Sequence, residues 1–239
     1  MSRRFSGLVF GSVSGGSCLA SLVATLAVVG AAGCGGPTYV TPDEPAQGAA
    51  AVGTNTKKPV APSCDASVYP CGPFGYGVGE VIANLQFYGR RNNDPAQMVT
   101  AQPDQLIKLS DYYKDKSIKV IAVLVAAEWC GPCQAEQPEL ISTFTDYATA
   151  KKGVAFVEAI IQRKDGSPAD LEAVDRWSNK FRIPFDMVAD PTVALGPYYS
   201  VAAFPMQLII QTSDMTIQAQ NNGYNQGWLK STVDGLLPQ

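Results

Sequence analysis

An α/β fold with a central mixed β-sheet and helices on both of its faces is the class predicted by this chain of 239 residues. Three observations carry the prediction. Val120–Ala126 is apolar on both sides: Ile121, Val123 and Val125 point one way, and Val120, Ala122 and Leu124 the other. Such a strand belongs inside a sheet covered by helices on each face. Apolar runs of strand length then alternate with stretches of helical spacing, the order that gives layered α/β domains. Finally, Met206–Gln211 and Met215–Gln218 flank Thr212-Ser213-Asp214 and read as an antiparallel hairpin.

In chain order, Met1–Gly33 opens with Arg3 and Arg4, lacks acidic residues and carries the apolar run Leu19–Ala32. That run is short for a bilayer span and small residues follow it, so 1–33 reads as a secretory signal. Its end, Ala31-Ala32-Gly33-Cys34, resembles a bacterial lipobox, which implies that Cys34 is acylated and becomes the mature N-terminus. Ala31 stands where leucine is usual, and ordinary signal cleavage nearby is the other reading. Cys18 is lost with the leader. Residues 34–75, rich in Pro, Gly, Ala, Thr and Ser, have too few aliphatic residues to order themselves and read as a tether. The glycines of Gly72–Gly79 mark tight turns rather than phosphate binding, because no strand precedes them and no helix with Lys-Ser/Thr follows.

A globular domain is expected over 76–239. Ala83–Tyr88 alternates weakly as an early strand, and Arg90–Asp94 is a polar turn. The strand ending at Ala127 runs into Trp129-Cys130-Gly131-Pro132-Cys133. Gln134–Ala150 follows with helical spacing at Leu140, Ile141, Phe144, Tyr147 and Ala148, and Pro138 kinks it. Val154–Ile161 is a second apolar strand. Ser167–Asp170 caps a helix to Phe181 whose stripe of Leu171, Val174, Trp177 and Phe181 faces the core. A short strand at Phe185–Val188, a turn or short helix at Asp190–Tyr199, the hairpin, and a helix over Gln226–Leu237 complete the domain.

The chemistry lies in the two cysteines. Pro132 suits a first helical turn because its missing N–H would be orphaned there anyway. Cys130 is thereby placed at a helix N-terminus, where partial positive charge favours a thiolate. Two intervening residues bring both sulfurs onto one turn. An exposed, low-pKa Cys130 can then attack a substrate disulfide and Cys133 can resolve the mixed disulfide. Bare CxxC spacing also suits structural zinc or an inert disulfide. The strand in front, Trp129 and the Gly-Pro pair favour redox chemistry.

WCGPC after an apolar strand resembles thioredoxin, and Cys133-Gln134-Ala135-Glu136-Gln137-Pro138-Glu139-Leu140 narrows the resemblance to the TlpA-like, AhpC/TSA-related thioredoxins. It runs from about Gly79 to the C-terminus, and within it Gln105–Tyr113 resembles the short strand and helical turn that lead into the central strand of that family, with Ser110 as N-cap. It implies a three-layer thioredoxin-like fold with an inserted helix-strand pair (Ser167–Val188), acting as an extracytoplasmic thiol–disulfide oxidoreductase. It also implies that Pro205 is a cis-proline facing the cysteines and offering backbone groups to substrate. Phe204 stands where Thr, Ile or Val is usual. With Trp129, Gly131 and Pro132, these two residues make the expected substrate surface. Thioredoxin's buried Asp, six residues before the first cysteine, is Leu124 here. Glu136 occupies a place where TlpA-like members often carry the acid that serves the second cysteine; a solvated helix glutamate is the other reading. Glu128 is expected to be exposed.

Removal of Cys18 and lipidation of Cys34 leave Cys64, Cys71, Cys130 and Cys133. An even number suits disulfides in an oxidising compartment, with Cys64–Cys71 a structural bridge. The chain has no histidine, which excludes haem attachment through CxxCH, Ser-His-Asp hydrolysis and His-ligated metals. No metal or other cofactor beyond the Cys130–Cys133 disulfide is expected. Loss of Arg3 and Arg4 leaves 16 basic against 21 acidic residues, a net charge of −5 that disfavours nucleic acid. Nothing resembles the single peroxidatic cysteine of peroxiredoxins. The expected partners are protein thiols and disulfides, an upstream electron donor or acceptor, and the membrane through a lipid anchor. The protein is expected to be a monomeric lipoprotein facing the periplasm. A redox-inert envelope lipoprotein with a permanently oxidised pair is the competing class.

Overall fold

The computed structural model describes residues 64–92, 94–100, 103–200 and 202–238. The leader, Cys18, Cys34 and most of the tether lie outside the described residues. In order, the elements are β1 (Gln86–Arg90), β2 (Gln105–Lys108), β3 (Val120–Ala126), α1 (Gly131–Thr149), β4 (Val154–Ile160), α2 (Leu171–Phe181), β5 (Asp186–Ala189), β6 (Met206–Gln211), β7 (Thr216–Asn222) and α3 (Trp228–Leu236). They form a mixed sheet in the order β2-β1-β5-β4-β3-β6-β7. β3, β4 and β5 run parallel, joined through α1 and α2. β6 lies antiparallel to β3 and β7 to β6, while β1 is antiparallel to both β2 and β5. This is a thioredoxin-like fold, with α2 and β5 as the inserted pair. All seven residues of β3 are buried, as a strand covered on both faces requires.

The core is held from α1 to β4 by aromatic packing. Phe144, Phe156 and Phe185 meet pairwise with ring centroids 5.4 Å apart. Such pairs contribute about 0.5–1.5 kcal/mol each beyond the area they bury. α1 runs unbroken through Pro138. Gly153 then turns the chain into β4 with φ at +76°, and a Cβ there would meet the Ser117 carbonyl oxygen at 2.7 Å. α2 is capped by Asp170, whose carboxylate accepts from Ala173 N at 3.0 Å, and it buries Val174 and Trp177.

Several local expectations give way to tertiary contacts. Arg90 ends β1 instead of opening a polar turn, and it is only 6% exposed. Its guanidinium is held by Asp104 and Asp175, each at 2.8 Å, the pairing a buried cation requires. Ser110 lies inside a 3-10 turn, Leu109–Asp111, where Asp111 Oδ2 takes the Lys108 N–H at 3.0 Å. β7 extends to Asn222, well past Gln218, because pairing with β6 orders its polar half. Packing also begins before residue 76: Tyr69 is buried and its hydroxyl donates to Ile82 O at 2.9 Å. Among the described residues, no helix is long and apolar enough to cross a membrane.

Candidate active site

β3 ends at Ala126, and Cys130 caps the helix that follows. The Cys130 N–H donates to Ala127 O at 3.0 Å, and Cys130 Sγ accepts from Cys133 N at 3.1 Å. One of the N–H groups that a helix start leaves without a carbonyl partner is thus aimed at sulfur. Gly131 and Pro132 form the exposed first turn, and a Cβ on Gly131 would meet nothing within 4 Å. Cys130 and Cys133 are disulfide-bonded, with Cα atoms 5.3 Å apart. Cys64 and Cys71 form a second disulfide. Cys130 is not exposed in this oxidised state: it is 2% accessible and Cys133 is 0%, because the Cys130 sulfur is turned inward to its partner and to the helix N–H. Trp129 is exposed as well, at 46%.

The β3–β6 register brings the second half of the site to the first. Val125 pairs with Met206, so Phe204-Pro205 lies at the end of β3 from which the cysteines depart. The Phe204–Pro205 peptide is cis. The Trp129 and Phe204 rings meet edge to face at 5.8 Å, and Phe204 also packs on Tyr199 at 5.3 Å. Trp129 Nε1 is held by Gln162 Oε1 at 2.9 Å. The aromatic residue that breaks the usual pattern before the proline therefore rests against the tryptophan of the motif.

Glu136 is 2% exposed, one turn along α1 from Cys133, and its Oε1 accepts from Gln207 Nε2 on β6. Burial, then the charges of Glu158 and Glu139, push its carboxyl up to about 8, against the opposing bond from Gln207. Glu158 on β4 escaped the sequence reading, although a lone acid in the apolar run Val154–Ile161 was a signal. It is 1% exposed; Gln137 Nε2 donates to its Oε1 at 2.7 Å and Trp177 Nε1 to its Oε2 at 3.2 Å. Burial raises it to about 7, although both bonds favour the ionised form. Glu128, expected to be exposed, is mostly covered: its side chain is 11% accessible, and Arg176 grips it at 2.8 and 2.9 Å, lowering its pKa.

The two raised carboxyls predict the pH dependence of stability. The ordinary value is 4.5, so over the interval above it the native chain holds protons that the unfolded chain releases. Their contribution is fully present below that value and is lost as pH rises through about 7 and about 8. Each such proton changes unfolding free energy by about 1.4 kcal/mol per pH unit. Urea unfolding midpoints should fall between pH values of about 5 and about 8, and a rising or flat profile would contradict buried, protonated carboxyls.

A mixed sheet whose central strand leads into a cysteine pair at a helix N-terminus, facing a cis-proline, defines the thioredoxin-like class, the fold of thiol–disulfide oxidoreductases. The AhpC/TSA family profile matches residues 93–219, more than half of the chain, and the chain belongs to the AhpC/TSA family. Solved structures agree in fold. The thioredoxin domain of a thiol-disulfide oxidoreductase from Bacteroides vulgatus is 14% identical with a TM-score of 0.51, covering 69% of this chain and 100% of that one. A protein from Chlorobium tepidum described as thiol:disulfide interchange protein DsbE is 17% identical with a TM-score of 0.50, covering 67% and 98%. A 2-Cys peroxiredoxin from Plasmodium vivax, at 12% identity and a TM-score of 0.50, covers 68% and 82%. At these identities the likeness is one of fold. No curated protein matches the sequence significantly.

Proposed function

We propose that the chain is a thiol–disulfide oxidoreductase that reduces protein disulfides outside the cytoplasm through Cys130 and Cys133. The observation that carries this reading is the Cys130 sulfur at the N-cap of α1, accepting the Cys133 N–H. In the reduced protein the same donor and the helix end stabilise a thiolate. That thiolate attacks a substrate disulfide, forming a mixed disulfide and releasing the first substrate thiolate. Cys133 loses its proton, attacks Cys130 Sγ and expels the second substrate thiolate. The substrate gains two electrons and the Cys130–Cys133 bond closes; a reduced dithiol protein upstream restores the pair. Trp129, Gly131, Pro132, Phe204 and Pro205 line the approach. Proline has no N–H, so the backbone donor offered to a substrate there falls to Phe204, while Pro205 O already accepts one bond, from Gly223 N at 2.7 Å. Cys64–Cys71 is a structural bridge. Cys34 carries a lipid anchor facing the periplasm, and residues of the tether give the monomeric domain reach.

The test is made on the exported chain. Mild reduction by dithiothreitol should open Cys130–Cys133 in the folded protein, and Cys130 should then alkylate far faster than Cys133. A pair that stays closed until the chain unfolds would sink the redox reading. The intact mass of the same preparation reads the anchor: acylated Cys34 at the N-terminus is expected, and an unmodified N-terminus beyond Cys34 excludes it. Two or more acyl chains would hold the protein on the membrane where one would not.

A further inference from the structure

The strand register sets a polar row across the sheet beside the cysteines. Glu158 on β4 pairs with Leu124 on β3, Leu124 with Gln207 on β6, and Gln207 with Asn221 on β7. Residues directly opposite on adjacent strands project from one face. α1 lays two consecutive side chains on this row. Glu136 takes the Gln207 amide, which Asn221 Nδ2 supports from its far side at 3.4 Å. Gln137 Nε2 bridges the Cys133 carbonyl at 3.2 Å and Glu158 Oε1 at 2.7 Å. Gln137 Oε1 is buried with no donor, so the amide's orientation is dictated by the two acceptors it joins. Leu124, 1% exposed, stands between the two arms in the row.

We infer that Glu158 is a positioning residue for the disulfide chemistry: standing in the same buried polar row as Glu136 and holding Gln137 against the Cys133 carbonyl, it sets how tightly Glu136 keeps the proton that Glu136 exchanges with the Cys133 sulfur. The inference rests on the redox reading proposed above. Two carboxylates in one buried site cannot both ionise freely, and each raises the other's hold on a proton. When a partner thiolate attacks Cys130 Sγ, the Cys130–Cys133 bond breaks and its electron pair leaves on Cys133 Sγ, which takes the proton from Glu136. In the opposite direction Glu136 accepts the Cys133 proton as the thiolate attacks Cys130. Besides Glu158, the titratable groups whose charge bears on Glu136 are Glu139 on α1 and Tyr224 before α3, and Cys133 lies one turn before it on α1. The side chains standing beside Glu158 from β3, β5 and α2 are Leu124, Met187 and Trp177, which do not titrate. The acid missing from the central strand has thus moved one strand over.

The test uses the full chain with carbon-13 in its glutamate carboxyls. In the oxidised protein, Glu158→Gln should lower the titration midpoint of Glu136 by about one unit, as removal of a like charge in a shared site does. Glu136→Gln should lower that of Glu158 by the same amount, because coupling is reciprocal. In the reduced protein, the acid limb of mixed-disulfide release should move to lower pH in Glu158→Gln by that same shift and return in Glu158→Asp, while Cys130 alkylation stays unmoved. Independent titration of the two carboxyls overturns the coupling. Coupled titration with a superimposable release profile makes Glu158 a structural carboxylate and overturns its positioning role. If Glu158→Gln does not fold, the midpoint of Glu158 in Glu136→Gln against wild type decides the coupling. If wild-type thiols never turn over, the redox reading fails and the positioning role with it, whereas the oxidised-state titration still judges the carboxyl pair alone.

Discussion

Replacing Cys130 with serine is expected to bring turnover of a model protein disulfide down to the uncatalysed background. The hydroxyl keeps the helix cap, since serine is a good N-cap and can accept the Cys133 N–H, so the fold should survive. What is lost is the nucleophile: a serine hydroxyl does not ionise near neutral pH and cannot form a disulfide. Cys133→Ser should behave differently. Cys130 still attacks, but nothing resolves the product, so mixed disulfides accumulate and report the substrates. Cys64→Ser is the control, because its bridge closes a loop with a sequence separation of only 7. Its loss should cost about 2 kcal/mol of stability and leave the rate per folded molecule intact. If losing Cys64 stops turnover as completely as losing Cys130, the division into a redox pair and a structural pair is wrong.

Glu136→Gln should slow release of the mixed disulfide by about 10²–10⁴-fold, the usual range for a lost general acid–base group. The substitution is nearly isosteric and retains an oxygen for Gln207 Nε2, so packing at this 2%-exposed position changes little. Only the exchangeable proton disappears. Release needs the ionised carboxylate as the base that takes the Cys133 proton, so with this carboxyl pushed up to about 8 the wild-type rate should climb as pH rises toward that value, a climb the glutamine variant lacks. In the opposite direction the protonated form delivers its proton to the Cys133 thiolate as the disulfide opens. Cys130 alkylation should change much less, because the helix terminus, rather than Glu136, stabilises that thiolate. Stopped-flow release rates across pH in both proteins check this. Identical profiles would show that water or another group handles the proton.

The pattern of residue types along the chain was enough for the frame of this molecule. Val120–Ala126 had to be a central strand because both its faces are apolar, and WCGPC at its end had to meet a helix start because Pro132 tolerates the lack of a carbonyl partner. Phe204-Pro205 and Glu136 were reached through resemblance, and the structure brings Phe204 against Trp129 and buries Glu136. These features are local: they depend on periodicity, on backbone hydrogen-bond demands and on short motifs, all written within a few residues.

Tertiary packing alone decided where the charges went. Arg90 looks like a turn residue until Asp104 and Asp175, distant in sequence, converge on it. Glu158 looks like a blemish in an apolar strand until Gln137 and Trp177 arrive from two helices and bond both its oxygens. Glu128 reads as exposed until Arg176 closes over it. Even the accessibility of Cys130 depended on which way its sulfur turned once the disulfide had closed. A charge is tolerable inside a protein only where dipoles and counter-charges from other elements replace water, and no stretch of sequence says which elements those will be. The cysteine pair at the helix start was therefore legible from the chain, whereas the buried polar row beside it was decided by the strand register that set Glu158, Leu124 and Gln207 side by side.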